Sequence, residues 1–367
     1  MANTEQALAT VLQMLYEKRK VEMEAEVKVA LIGQPGAGKS SLINKLVGKK
    51  VFEVGVHTDT TVEKQEKKIS DSLIIVDLPG YGTKRFTIES WLEEFKPEQY
   101  DLYLFVFSGK LHDADATLFQ NLKKWRDERE HPFFIVRNKE DEIWDDDKSL
   151  EELKAEITKD VCSRMKSYAE KVYFTSCRRN TGIAELKEAI FNSDIPKVKK
   201  SKLMVEFKAL SQKDLERKRQ ICIERLDYYA YAGAVNAINP LPGVDIAVDF
   251  GMIQMMFSDF RSTFGIDEEV VEKTLTMYEV ALPIAQRFGV PAAKTIFNWA
   301  TKEGLTMLLK KFGKEQLAKE IGKYIPVVGW ALAAGLGYKM IVWAGEKYID
   351  NCFEVAGNYL EYFAANK

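Results

Sequence analysis

Residues 33–40 read Gly33-Gln34-Pro35-Gly36-Ala37-Gly38-Lys39-Ser40, a full match to G-x-x-x-x-G-K-[ST]. The run Val27-Lys28-Val29-Ala30-Leu31-Ile32 before it reads as a strand. Ser41-Leu42-Ile43-Asn44-Lys45-Leu46-Val47 after it reads as the first turns of a helix. That strand–loop–helix order is the context in which the motif binds phosphate. Glycines let the backbone curl so that successive N–H groups face one anion. The helix N-terminus adds its positive end, and Lys39 supplies a point charge for the β- and γ-phosphates. Gly33, Gly36, Ala37, Gly38, Lys39, Ser40 and Ser41 are therefore the expected phosphate-binding set, with the Ser40 hydroxyl directed to Mg²⁺.

The base is read further on. Asn138-Lys139-Glu140-Asp141 matches N-K-x-D and follows the strand-like run Phe133-Phe134-Ile135-Val136-Arg137. A carboxylate at Asp141 can accept from guanine N1–H and from the 2-amino group. Adenine offers neither donor on that edge, so ATP would leave the carboxylate unpaired. Lys139 would lay its aliphatic stem along the base, and Asn138 would brace the loop. Thr175-Ser176-Cys177, after the strand Lys171-Val172-Tyr173-Phe174, stands where GTPases carry T-S-A. There a backbone amide, from Ser176 or Cys177, would meet guanine O6.

Between these lies Asp77-Leu78-Pro79-Gly80, a D-x-x-G motif after the strand Leu73-Ile74-Ile75-Val76. Asp77 would hold Mg²⁺ through a water, and the Gly80 N–H would contact the γ-phosphate, distinguishing GTP from GDP. A further Mg²⁺ ligand is expected from Thr58, Thr60 or Thr61. The pair Thr60 and Thr61 is favoured, and spacing does not separate them. Expected catalytic groups are Lys39, Thr60 or Thr61, and Gly80. The residue after D-x-x-G is Tyr81, where many small GTPases place a water-orienting Gln. A phenol lacks the amide that both donates to and accepts from the attacking water. Backbone groups, the threonine segment or a second molecule must then order that water.

Several function classes are excluded by composition. Net charge is −2 with 29% charged residues, which argues against a nucleic-acid binder. Cys162, Cys177, Cys222 and Cys352 are widely spaced, which fits free thiols in a reducing, cytoplasmic compartment rather than disulfides or zinc. The polar opening Met1–Glu26 leads us to expect no secretory leader. The ends offer no Gly for myristoylation and no Cys for prenylation.

Three parts are expected. Residues 1–26 form a helical arm with Leu8, Val11, Leu12 and Leu15 on one stripe, packed on the body of the protein. Residues 27–195 alternate strand and helix patterns and carry every nucleotide motif. They predict an α/β P-loop GTPase domain, a mostly parallel sheet with helices on both faces and the ligand at the carboxyl ends of the strands. Pro196–Lys202 reads as a basic linker opening residues 196–367, an all-α domain. Two stretches in that domain, Tyr228–Phe257 and Ile325–Tyr338, are unusually apolar. The first is interrupted by Asp245 and Asp249, and the second is too short to span a bilayer. A tight helical core is the expectation, with peripheral membrane contact as the alternative.

Residues around these motifs carry a resemblance. Val76-Asp77-Leu78-Pro79-Gly80-Tyr81-Gly82-Thr83 resembles the D-L-P-G-x-G-x-T stretch of the immunity-related (interferon-inducible) GTPases. Leu241-Pro242-Gly243, Thr263-Phe264-Gly265-Ile266-Asp267-Glu268 and Ile325-Pro326-Val327-Val328-Gly329 resemble that family's L-P-G, F-G-x-D and I-P-x-x-G landmarks in the same order. The resemblance covers nearly the whole chain. Asn138 stands where the family commonly carries Thr. The resemblance implies dynamin-like behaviour: modest nucleotide affinity, GTP hydrolysis to GDP, a GTP-dependent homodimer through the G domains, and action at intracellular membranes. The other functional class is a monomeric switch whose GTP state recruits an effector.

Overall fold

A computed structural model describes residues 2–52, 64–82, 86–129, 132–166, 171–238, 245–266, 329–365 and isolated positions between 296 and 311. The chain divides into two compact units. Ala25–Lys208 is one; Met1–Glu24 with Ala209–Lys367 is the other.

Among the described residues the first unit is built on six strands: β1 (Val27–Gly33), β2 (Gln65–Lys68), β3 (Leu73–Asp77), β4 (Leu102–Phe107), β5 (Phe133–Arg137) and β6 (Val172–Phe174). Their order is β2-β3-β1-β4-β5-β6. Only the β2–β3 pair is antiparallel; β1 pairs with both β3 and β4 in parallel. The central strands are nearly continuous apolar runs because both faces are covered. All six residues of β4 are buried. Side chains alternate between faces. Ala30, Ile32, Val76, Phe105, Phe107 and Ile135 join a core with Trp91, Phe95, Leu118, Phe119 and Val161. These latter residues come from α3 (Ile88–Phe95), α4 (Asp113–Arg129) and α5 (Leu150–Arg164). Val29, Leu31, Ile75, Leu104, Val106 and Val136 are buried on the opposite face. That face is served by α2 (Lys39–Val47), α6 (Ile183–Asn192) and α7 (Lys197–Glu206). The parallel α/β sheet expected from the sequence is thus present.

The segment expected as a basic linker is instead α7, which packs on β1 and β3. Its lysines favour helix, and Pro196 at the N-cap supplies a compatible φ. Leu203, Met204 and the stem of Lys202 are buried, and Lys199 pairs with Asp101. Apolar content later in the helix, rather than the charged opening, decides its fate. Residues 196–208, expected with the helical part, therefore cluster with the sheet.

In the second unit α1 (Ala2–Glu24) packs along α8 (Gln212–Ile238), which also meets α9 (Asp245–Phe264) and α10 (Gly329–Ala365). Of the expected stripe on α1, Leu12 and Leu15 are half-buried. Tyr16 stacks on Tyr228 at 5.5 Å and Arg19 pairs with Asp227 at 3.0 Å, while Val11 is exposed. Val11 lies at the rim of a stripe wider than the actual contact. Phe257 stacks on Tyr348 at 3.9 Å, and a Cβ on Gly345 would stand 2.1 Å from Leu226 Cδ2. Gly345 thus lets α8 and α10 approach closely. At the end of α9, Gly265 (φ 71°) and Ile266 return N–H bonds to Ser262 and Arg261. No helix among the described residues is long and apolar enough to cross a membrane. Leu241–Gly243, Asp267-Glu268 and Ile325–Val328 lie outside the described residues.

Candidate nucleotide site

Since β1, β3, β4, β5 and β6 run in parallel, the loops that leave them share one edge of the sheet. Gly33–Ser40, Asp77–Gly80, Asn138–Asp141 and Thr175–Cys177 follow β1, β3, β5 and β6 and lie on that edge.

The Gly33–Ser40 loop leaves β1 and enters α2, whose first residue is Lys39. Gly33 has φ 136°, and a Cβ there would stand 1.9 Å from the Val106 carbonyl oxygen. Gly38 is the left-handed N-cap of α2 (φ 85°), and a Cβ there would meet Asn138 Nδ2 at 2.4 Å. Glycine is required at both positions by backbone shape and by close approach. Lys39 Nζ donates to the Gly33 and Gln34 carbonyl oxygens at 3.2 and 3.4 Å. It lies 3.9 Å from Asp77 Oδ1. Burial pushes the Lys39 ammonium below its ordinary pKa, with Asp77 opposing. The site holds a desolvated cation beside backbone N–H groups, an arrangement that a phosphate anion complements.

The base-reading loop is tied to this one. Asn138 Nδ2 donates to the Ala37 carbonyl oxygen at 2.8 Å. Asn138 Oδ1 accepts from Thr175 Oγ1 at 3.1 Å and from Cys177 Sγ at 3.6 Å. Burial keeps the Cys177 thiol protonated by raising its pKa. Asp141 Oδ1 accepts from Ser176 Oγ at 2.5 Å, and Ser176 Oγ in turn accepts from the Arg179 N–H at 3.0 Å. The Ser176 hydroxyl is the main influence holding the Asp141 carboxyl below its ordinary pKa. Lys139 sits in the left-handed region (φ 58°), turning the chain between Asn138 and Asp141. Behind it Glu140 pairs with Lys154 at 2.6 Å and accepts from the Thr181 hydroxyl. Burial opposes ionisation of Glu140, but those partners outweigh it and lower its pKa. One asparagine thus binds the loops after β1, β5 and β6 into a single body.

Asp77 ends β3 and is buried. Hydroxyl and carboxylate oxygens at Ser40 and Asp77 are hard donors of the kind Mg²⁺ prefers. Among the described residues there is no cluster of carboxylates, His or Cys that would hold a metal alone. A few protein oxygens completed by phosphate suit Mg²⁺ under those conditions. Thr58, Thr60 and Thr61 lie outside the described residues.

Pro79 to Gly82 is anchored at both ends. The Trp91 indole N–H donates to the Pro79 carbonyl oxygen at 2.9 Å. Tyr81 packs edge-on to Trp91 at 6.0 Å and donates its hydroxyl to Asp115 Oδ1 at 2.6 Å. Asp115 and the Gln34 side chain were not legible as site residues. Their partners lie 34 and 81 positions from Asp115, and no local pattern marks them.

Comparison with known proteins places these motifs in a lineage. The sequence profile described as "Interferon-inducible GTPase (IIGP)" matches residues 2–290. Interferon-gamma-inducible GTPase 10 of Mus musculus is 22% identical over 354 residues, covering 91% of this chain and 80% of that protein. T-cell-specific guanine nucleotide triphosphate-binding protein 2 of Mus musculus is 23% identical over 350 residues, covering 89% and 79%. Among solved structures, Aquifex aeolicus Era bound to GDP and AlF4⁻ is 21% identical over 54% of this chain and 67% of that one, with a TM-score of 0.35. Toc33 from Arabidopsis thaliana is 17% identical over 45% and 77%, also at 0.35. With a profile match that runs from the first helix deep into the helical unit, the chain belongs to the interferon-inducible GTPase family and is a GTP phosphohydrolase.

Proposed function

We propose that residues 27–195 bind GTP across the loops after β1, β3, β5 and β6 and self-associate in the GTP state. Residues 1–24 and 209–367 then carry the resulting change to a membrane surface. Phosphates lie on the backbone of Gly33–Ser41 with Lys39 between the β- and γ-groups. Asp141 takes the guanine N1–H and 2-amino donors, Lys139 covers the base, and the Ser176–Cys177 backbone faces O6. Mg²⁺, held by Ser40, by Asp77 and by Thr60 or Thr61, neutralises phosphate charge when bound.

The observation that carries the assembling mode is Tyr81. It occupies the position after D-x-x-G, and its only proton is already given to Asp115. It therefore has no donor left for the attacking water. A second molecule docked across the nucleotide would exclude bulk water and supply the missing group. The test measures GTP turnover per mole across protein concentration, with and without anionic phospholipid vesicles. Sedimentation in the GDP and non-hydrolysable GTP-analogue states runs beside it. Turnover rising with concentration, with a dimer only in the analogue state, is the expected result. Flat turnover by a monomer in both states would instead support the effector-recruiting switch.

A further inference from the structure

Asp115 is 3% exposed, at the start of α4, and belongs to none of the nucleotide motifs. Both its oxygens are occupied. Oδ1 accepts the Tyr81 hydroxyl at 2.6 Å. Oδ2 accepts the Gln34 side-chain amide at 2.8 Å and the His112 N–H at 2.8 Å. The same Gln34 amide also donates to the Lys110 carbonyl oxygen at 2.9 Å. Gln34 is the second residue of the phosphate loop, and its own carbonyl oxygen accepts from Lys39 Nζ. Tyr81 is the residue next to Gly80. One buried carboxylate therefore bridges the phosphate loop and the segment expected to sense the γ-phosphate.

The surroundings reinforce that bridge. Burial, with the Asp115 charge second, raises the Tyr81 phenol well above its ordinary pKa, so the hydroxyl remains a donor through the working range. Gly82 presses on α4: a Cβ there would stand 2.6 Å from Ala114 Cβ. On the other side the Trp91 indole fixes the Pro79 carbonyl. Gly80 is the one residue between the Pro79 and Tyr81 anchors. Its N–H direction is set by where those anchors hold it.

The geometry points to Asp115 as a positioning residue for GTP hydrolysis, acting through Tyr81 and Gln34 to fix Gly80 relative to the phosphate loop. It touches neither nucleotide nor water. It holds the γ-phosphate donor at a set place against Lys39, so its contribution grows from bound GTP to the transition state and is absent with GDP. This rests on the nucleotide reading given under Proposed function, since it requires that Gly80 meets the γ-phosphate.

Tyr81→Phe removes only the hydroxyl. Asp115→Ala removes both acceptor oxygens at once. Each variant, checked for folding by thermal melting, is compared with wild type in single-turnover GTP hydrolysis and in GDP affinity. The expected result is a fall in the hydrolysis rate of about tenfold with GDP affinity unchanged, the pattern of an interaction made beyond the ground state. The double variant should fall no further than the single ones, because both cut the same bridge. Should Asp115→Ala fail to fold, Tyr81→Phe with Gln34→Ala completes the same cycle. Unchanged hydrolysis in folded variants would overturn the inference. So would additive losses, or GDP affinity falling in step, which would reduce the bridge to a scaffold for the phosphate loop. Failure of wild type itself to hydrolyse GTP is a separate result, and it would strike the nucleotide reading instead.

Discussion

Asn138 Nδ2 donates to the Ala37 carbonyl oxygen across 101 residues of sequence, at 2.8 Å. This bond ties the residue that introduces the base-reading loop to the backbone that is to hold the phosphates. Its acceptor side is satisfied too, by Thr175 and Cys177. Asn138→Ala would leave the buried Ala37 oxygen and the Thr175 hydroxyl without this partner. We expect a stability loss of about 1–3 kcal/mol and weaker GTP and GDP binding together. Urea unfolding and nucleotide titration measure the two effects. Loss of one without the other would mean that the loops are not coupled through this side chain.

Lys39→Ala should abolish binding of GTP and GDP while leaving the fold intact. The ammonium is desolvated in the free protein, and its contacts are carbonyl oxygens at 3.2 and 3.4 Å and a carboxylate at 3.9 Å. Removing a charge whose burial is costly should leave the melting temperature within a few degrees of wild type. Fluorescent-nucleotide titration beside a melting curve checks both halves.

Asp141 sets base choice and also a pH limit. Asp141→Asn should weaken guanine binding and favour xanthine nucleotides, because the amide donates to the 2-oxo group; competition among GTP, XTP and ATP tests this. The ionised carboxylate is the form that pairs with guanine. Its folded pKa is depressed, so binding holds above the ordinary carboxylate range and is lost only as pH falls through the lowered value. Ser176→Ala removes the main cause of that depression. The acid limit of GDP binding should then move up toward an ordinary aspartate, and an unmoved limit would refute the Ser176–Asp141 link.

Gly33→Ala should destabilise the whole first unit rather than the loop alone. The added methyl meets the Val106 carbonyl oxygen at 1.9 Å, where β1 and β4 are paired. Neither strand can retreat without opening the centre of the sheet. A loss of about 2–4 kcal/mol in chemical unfolding is expected, from a backbone clash added to an unfavourable φ.

Much of this was legible in the sequence because the informative patterns are local. Val27–Ile32 and Leu73–Val76 announce buried parallel strands by their apolar runs. Gly33–Ser40, Asp77–Gly80 and Asn138–Asp141 announce a nucleotide by residue type and spacing. β2 offered no such signal. Gln65-Glu66-Lys67-Lys68 are all exposed, and the strand is held by backbone pairing to β3. The lysines after Pro196 read as a linker because their charge hides the buried Leu203 and Met204 farther on. The Asp115 bridge could not be read at all. An isolated aspartate gains meaning only when folding brings it to Tyr81 and Gln34.

The Trp91–Pro79 hydrogen bond gives this protein a built-in optical reporter. The indole is 1% exposed, and its N–H is attached to the carbonyl one residue before Gly80. Any rearrangement of that segment on GTP loading must change the dipole against which the excited indole relaxes. Emission from Trp91, identified as the part lost in Trp91→Phe, would follow nucleotide exchange and turnover in the unlabelled chain.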